Sequence, residues 1–199
     1  VYTDVKHSGG IWKDTHNYLV MTDDIYGEWS EPIYLNSSGF DPSLFHDDDG
    51  RKWLVNLVYD HRKDKNTFGG ILLQEYCPEE KRLVGPIKNI FRGTELGFTE
   101  GPHLYKKDGY YYLLTAEGGT WYDHAVTIAR SRNIDGPYEV HPENPILTSK
   151  GDLTLPLQRA GHADLVETRD GEWYMVHLCS RPLEGRQRSI LGRETAIQK

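Results

Sequence analysis

One supersecondary unit is written three times along this chain, and that repetition restricts the fold more than any other feature. The first copy runs Phe40-Asp-Pro-Ser-Leu-Phe-His-Asp-Asp-Asp-Gly-Arg-Lys-Trp-Leu-Val-Asn56. The second runs Thr99-Glu-Gly-Pro-His-Leu-Tyr-Lys-Lys-Asp-Gly-Tyr-Tyr-Tyr-Leu-Leu-Thr115, and the third Gly161-His-Ala-Asp-Leu-Val-Glu-Thr-Arg-Asp-Gly-Glu-Trp-Tyr-Met-Val-His177. Their turns fall at Asp49-Gly50, Asp108-Gly109 and Asp170-Gly171, giving steps of 59 and 62 residues. Each copy reads as a strand, an Asp-Gly hairpin turn and an aromatic-rich strand. A unit of this length repeated in sequence marks a solenoid or a propeller. No helical periodicity persists over three turns, and the chain holds 13 Tyr, so an all-β fold is expected.

In a propeller the first strand of each blade is innermost. Counted back from the Asp-Gly turns, Asp41, Glu100 and His162 stand at the head of these strands and are predicted to converge on the central axis. The copies agree on scaffold and differ at the ionisable residue, which points to a site. The expected blades are 1–35 (the end of one), 36–98, 99–148, and 149–199 (the start of the last), with 149–160 as a loop. Tyr18 to Thr22 reads as a strand. The step of about 60 exceeds the roughly 40–50 residues of common propeller repeats, and the surplus lies in the loops 59–68 and 117–124. Val1-Tyr-Thr-Asp4 resembles the ends of second strands, so the chain reads as a partial propeller of three to four blades, cut inside its repeats.

Charge and cysteine usage exclude other classes. The net charge is −7 with no basic run, which argues against a nucleic-acid groove. No apolar run reaches transmembrane length. Cys77 and Cys179 lie in different repeats without metal-ligand spacing, so free thiols and a cytoplasmic location are expected. Open blade edges favour pairing, a second copy of the chain included.

Asp41 and Glu100 carry the chemical argument. Glycoside hydrolysis needs a protonated acid for the leaving oxygen and a second carboxylate at fixed separation. Crowding by a carboxylate and partial desolvation would hold the proton on Glu100, the expected acid. The competing reading is that both merely solvate a channel or accept strand-end amide bonds. Phe40, Trp121 and Tyr122 could stack on a sugar ring, although aromatic side chains are more often core. His103 reads as structural, His46 and His61 as surface or loop residues, and Asp47-Asp-Asp49 as a turn rather than a calcium loop.

Ser37-Ser-Gly-Phe-Asp-Pro-Ser-Leu-Phe-His46, Thr99-Glu-Gly-Pro-His-Leu-Tyr105, Leu114-Thr-Ala-Glu-Gly-Gly119 and Gly192-Arg-Glu-Thr195 together resemble the β-xylosidases of glycoside hydrolase family 43. The resemblance implies a five-bladed β-propeller that releases xylose from the non-reducing end of β-1,4-linked xylo-oligosaccharides with inversion. Carried over by position, Glu100 is the general acid and Asp41 the carboxylate that tunes its pKa and orients the substrate. His162 lies beneath the sugar, and Arg193 reaches its hydroxyls; Phe40 joins them as a substrate contact. No cofactor is required, though some relatives hold a central calcium beside the histidine equivalent to His162. The family's general base is an aspartate of the first blade, for which no aspartate before Asp41 has the right context. General-base assistance is typically worth about 10²–10⁴-fold, so the chain by itself is expected to be nearly inert. α-L-Arabinofuranosidase activity is the alternative within the scaffold. A non-catalytic carbohydrate-binding propeller is the alternative outside it, opposed by the unlike residues at 41, 100 and 162.

Overall fold

The computed structural model describes residues 1–7, 13–183 and 187–199. The chain divides into two compact units, Val1–Arg92 and Gly93–Lys199. Strands and turns make up the described residues, with no helix among them, and none is therefore long and apolar enough to cross a membrane.

In the first unit β1 (Tyr2–His7), β2 (Lys13–Leu19) and β3 (Ile33–Asn36) form an antiparallel sheet in chain order. A second antiparallel sheet follows, again in chain order, from β4 (Ser43–His46), β5 (Lys52–Tyr59), β6 (Phe68–Cys77) and β7 (Arg82–Phe91). Four consecutive residues of β5, Leu54 to Leu57, are buried, as befits a strand covered on both faces. Leu19 and Leu35 of the first sheet pack against Leu54 and Tyr76 of the second. The strand expected at Tyr18–Thr22 in fact spans Lys13–Leu19. It stops there because Thr22 and Asp24 start a turn, the Thr22 hydroxyl donating to the Asp24 carbonyl at 2.6 Å.

The second unit holds β8 (Glu100–Lys107), β9 (Tyr110–Glu117) and β10 (Ala125–Ser131), with β11 (Glu139–Val140) and β12 (Leu147–Thr148) both paired to β10. Its other sheet is β13 (Gln158–Glu167), β14 (Trp173–Ser180) and β15 (Glu194–Gln198). Leu114, Val126 and Ala163 form the core between them. The Tyr105 hydroxyl ties β8 to β13 by donating to Asp164 and accepting the Leu165 amide at 2.9 Å. Burial, and secondarily the hydrogen bond to Asp164, push this phenol's pKa well above its ordinary value. The strand β13 starts at Gln158, inside the loop expected over 149–160. The Gln158 carboxamide donates to the carbonyls of Asp152 and Leu155, at 2.8 and 2.9 Å, and so draws the end of that loop into strand pairing.

The Asp-Gly turns are of two lengths. Lys107 pairs directly with Tyr110, leaving a two-residue turn with Asp108 at φ 52° and Gly109 at φ 74°, the left-handed pair of a type I′ turn. The other two hairpins close by Asp47 N–H to the Arg51 carbonyl (2.9 Å) and Thr168 N–H to the Glu172 carbonyl (2.8 Å). Three residues lie inside each of those pairs. The middle copy is therefore one residue shorter at its turn, and counting from the Asp-Gly pairs misplaces its strand head by one.

Backbone geometry gives the corrected alignment. Asp41, Gly101 and His162 share the left-handed conformation, at φ 53°, 56° and 47°. One position earlier, the Phe40 carbonyl accepts the Leu57 amide, Glu100 pairs with Ala116, and Gly161 pairs with Leu178. Glu100 is thus equivalent to Phe40 and Gly161, not to Asp41 and His162. Register shifts follow at Glu100/His103 and Gly161/Ala163, so the strand heads of the second unit are bulged. A bulge re-aims side chains without ending the strand.

Candidate active site

Each strand head offers two adjacent positions, and the chain fills them differently. In the first unit the leading position is Phe40 and the left-handed one Asp41. Phe40 meets Tyr59 at 5.5 Å and Phe68 at 6.3 Å between ring centroids, and the Lys13 ammonium lies 5.0 Å from its ring. The ring is half-buried. Phe40 is accordingly a wall packed into an aromatic cluster beside Asp41, and one part of its surface stays accessible.

In the second unit Glu100 takes the leading position on β8 with its side chain buried, at 8% exposure. Gly101 takes the left-handed position, and a Cβ there would lie 2.7 Å from His162 Nε2. The His162 ring fills the space that a side chain at 101 would occupy. On β13 the arrangement is reversed. His162 holds the left-handed position and Gly161 the leading one, where a Cβ would lie 2.5 Å from the His124 ring. Two glycines thus make room for two histidine rings. Sequence reasoning found His162 but passed over His124; the glycine facing it at 161 was the available signal.

His124 is buried, at 1% exposure, and its Nδ1 lies 3.0 Å from the Arg159 carbonyl. A carbonyl only accepts, so Nδ1 carries the hydrogen and Nε2 holds a lone pair, without a protein partner for it. Burial holds the pKa of His124 below the ordinary histidine value; the Arg159 carbonyl opposes this, and charge on His162, Arg193 and His177 adds to it. Arg193 itself is exposed, just ahead of β15. Its neighbour Glu194 is taken by Arg181, whose Nε donates to both carboxylate oxygens at 3.0 and 3.1 Å.

The remaining sequence candidates divide clearly. His103 sits 3.8 Å from Asp164 on the flank of β8, and His61 Nε2 donates to the Lys13 carbonyl at 3.2 Å; both are structural. His46 is exposed. Asp47 to Asp49 make turn bonds, including Asp48 N–H to Asp47 at 2.8 Å and Arg51 N–H to Asp49 at 3.0 Å. Trp121 is not a core residue. It is 57% exposed, and the Arg159 guanidinium lies 3.7 Å from its ring centroid. Among the described residues no three His, Cys, Asp or Glu side chains come together as a metal site. Calcium favours six to eight oxygen ligands, and His162 offers ring nitrogens only. Cys77 and Cys179 are free thiols.

Repeated antiparallel sheets, each in chain order and with unlike residues at their strand heads, have the form of propeller blades. Residues 1–199 match the model of glycosyl hydrolases family 43. The chain belongs to that family. It is 64% identical over its whole length to a xylosidase/arabinosidase 43B of Humicola insolens and 60% identical to a beta-xylosidase of Bacillus subtilis, covering 37% and 39% of those proteins. The crystal structure of a xylan beta-1,4-xylosidase from Bacillus halodurans matches all of the chain at 66% identity and a TM-score of 0.97, the chain covering 38% of it. The family's structures are five-bladed propellers, so the sheets described above are blades of that fold. The chain spans well under half the length of these relatives.

Proposed function

We propose that the protein containing this chain is an inverting, exo-acting β-1,4-xylosidase. The observation that carries the reading is Glu100, a carboxyl buried at a bulged inner-strand head in a chain 60–66% identical to proteins named as xylosidases. A general acid must keep its proton until the glycosidic oxygen needs it, and a position shielded from water favours the neutral acid. Glu100 donates that proton to the leaving oxygen. Asp41 orients the sugar and tunes the acid, Arg193 and His162 bind hydroxyls, and Phe40 lends an apolar wall to the pyranose. Inversion needs a water activated on the opposite face by a second carboxylate, which comes from outside this set of residues.

The test compares 4-nitrophenyl β-D-xyloside with 4-nitrophenyl α-L-arabinofuranoside and follows the released sugar by NMR. The proposal expects faster xyloside cleavage and α-xylose as the first product. Preference for the arabinofuranoside would overturn it, in favour of the activity that the Humicola insolens relative also bears in its name. Release of β-xylose would overturn inversion. A carbohydrate-binding propeller would turn over neither substrate, and Glu100→Gln would then change nothing but affinity.

A further inference from the structure

The seven residues that lead into the acid, Gly93 to Thr99, contain no strand. One side chain bonds to both threonines of the segment. Glu117, the last residue of β9, is fully buried, at 0% exposure. Its Oε1 accepts the Thr94 amide at 2.8 Å and the Thr99 hydroxyl at 2.7 Å, while Oε2 accepts the Thr94 hydroxyl. The Thr94 oxygen in turn accepts the Leu96 amide at 3.2 Å, and the Gly118 amide donates to the Gly97 carbonyl at 2.8 Å. Burying a carboxylate without partners is costly; this one is met by three donors, two of them from a single threonine.

The grip closes on the neighbours of Glu100 from both sides. Thr99 is the residue before the acid and is itself buried, at 2% exposure. Ala116, which pairs with Glu100 across the sheet, is the residue before Glu117. Gly93 completes the fit, because a Cβ there would lie 1.8 Å from the Thr99 hydroxyl and 2.7 Å from Glu117 Oε1, at a φ of +89°. Between the two threonines of the clasp, Phe98 sits in the left-handed region at φ 53°. That conformation costs a non-glycine residue of order 1–3 kcal/mol and persists where the surroundings over-determine it.

We propose that Glu117 is a positioning residue for Glu100. By holding Thr94 and Thr99 it fixes the point on the bulge from which the acid side chain departs. The inference rests on Glu100 being the general acid. Proton transfer requires heavy atoms within about 2.6–3.2 Å, so a loosened strand head penalises substrates whose leaving group needs the proton and spares those whose leaving group does not.

The experiment uses the enzyme that contains this chain, as wild type, Glu117→Ala, Glu117→Gln, Thr99→Val and Glu100→Gln. Each is assayed on xylobiose, whose sugar alcohol must be protonated on departure, and on 2,4-dinitrophenyl β-xyloside, whose phenolate leaves unaided. Glu117→Ala is expected to lower kcat on xylobiose by roughly 10–100-fold, a share of the 10²–10⁴ typical of acid catalysis. The dinitrophenyl rate should hold within a few-fold, with KM unchanged on both. Glu117→Gln, which keeps an acceptor for the Thr94 amide and the Thr99 hydroxyl, should recover most of the loss. Thr99→Val removes one bond of three and should show a smaller effect of the same kind, which keeps the test alive where Glu117→Ala does not fold. Equal losses on both substrates, or none on either, would overturn the positioning role. Glu100→Gln is the control. If it lacks the selective loss on xylobiose, the acid assignment fails first and the proposal with it, an outcome distinct from a selective Glu100→Gln beside a non-selective Glu117→Ala.

Discussion

The strand heads of the two units use the same backbone bend for opposite ends. In the first unit the bend presents Phe40 and Asp41 side by side, and the aromatic ring is anchored among Tyr59 and Phe68. In the second unit each bend gives up one of its two positions to glycine, and a histidine ring from another element moves in. His162 covers Gly101, and His124 covers Gly161. The difference teaches that a repeat can hold its backbone constant while choosing which of two adjacent positions carries chemistry. A bulge makes this inexpensive, since it turns neighbouring residues out of simple alternation.

The largest effect that would test this contrast is at the acid. Glu100→Gln should lower kcat on xylobiose by about 10²–10⁴-fold with KM little changed, as measured by steady-state kinetics, whereas Phe40→Leu should act mainly on KM. Similar kcat losses from both would mean that the leading positions are not functionally distinct. Next in size are the glycines. Gly161→Ala should destabilise by about 1–3 kcal/mol, because its Cβ meets a buried imidazole ring that has no free space to enter. Gly50→Ala has the opposite problem, a left-handed backbone at φ 87° that Gly161 does not share, with nothing within 4 Å of its Cβ, and should cost about 1 kcal/mol. Urea unfolding followed by tryptophan fluorescence separates the two; a cost at 161 no larger than at 50 would show that the His124 ring gives way and is not what keeps glycine at 161.

A pH effect should come next. His124 binds a proton less readily folded than unfolded, so the unfolded chain takes up more protons as the pH drops. The stability it contributes is complete above its unfolded pKa of about 6.5 and falls progressively below that, until the folded form also titrates. Urea midpoints between pH 7.5 and 5 should therefore decline, and His124→Gln should flatten the decline while lowering stability at neutral pH. An unchanged slope would assign the acid sensitivity elsewhere. The smallest effect is expected at Arg159→Met. It removes the cation–π contacts with half-exposed Trp121 and with Tyr122 and a hydrogen bond to the Gln187 carbonyl, and should cost about 1 kcal/mol with little change in turnover.

Most of the architecture was legible in the repeats. Strand, Asp-Gly turn and aromatic strand recur as read, and Glu100 lies at the head of its strand. What misled the register was turn length. Asp108-Gly109 closes a hairpin alone, whereas Asp49-Gly50 and Asp170-Gly171 sit in loops one residue longer. Identical dipeptides therefore stand at different distances from their strand heads. His124 and Glu117 were missed for another reason. Each belongs to the end of a strand or a long loop, and its role depends on a partner far along the chain: Arg159 for the histidine, Thr94 and Thr99 for the carboxylate.

The sequence by itself determined the blade period, the all-β class and the identity of the ionisable residues, because alternation and turn chemistry act over a few residues and leave local traces. Only the tertiary structure decided which residue occupies which side of each bulge, which glycine yields to which histidine, and which carboxylate grips the approach to Glu100. Those outcomes depend on close contacts between segments tens of residues apart, where a displacement of one position exchanges a buried acid for a glycine.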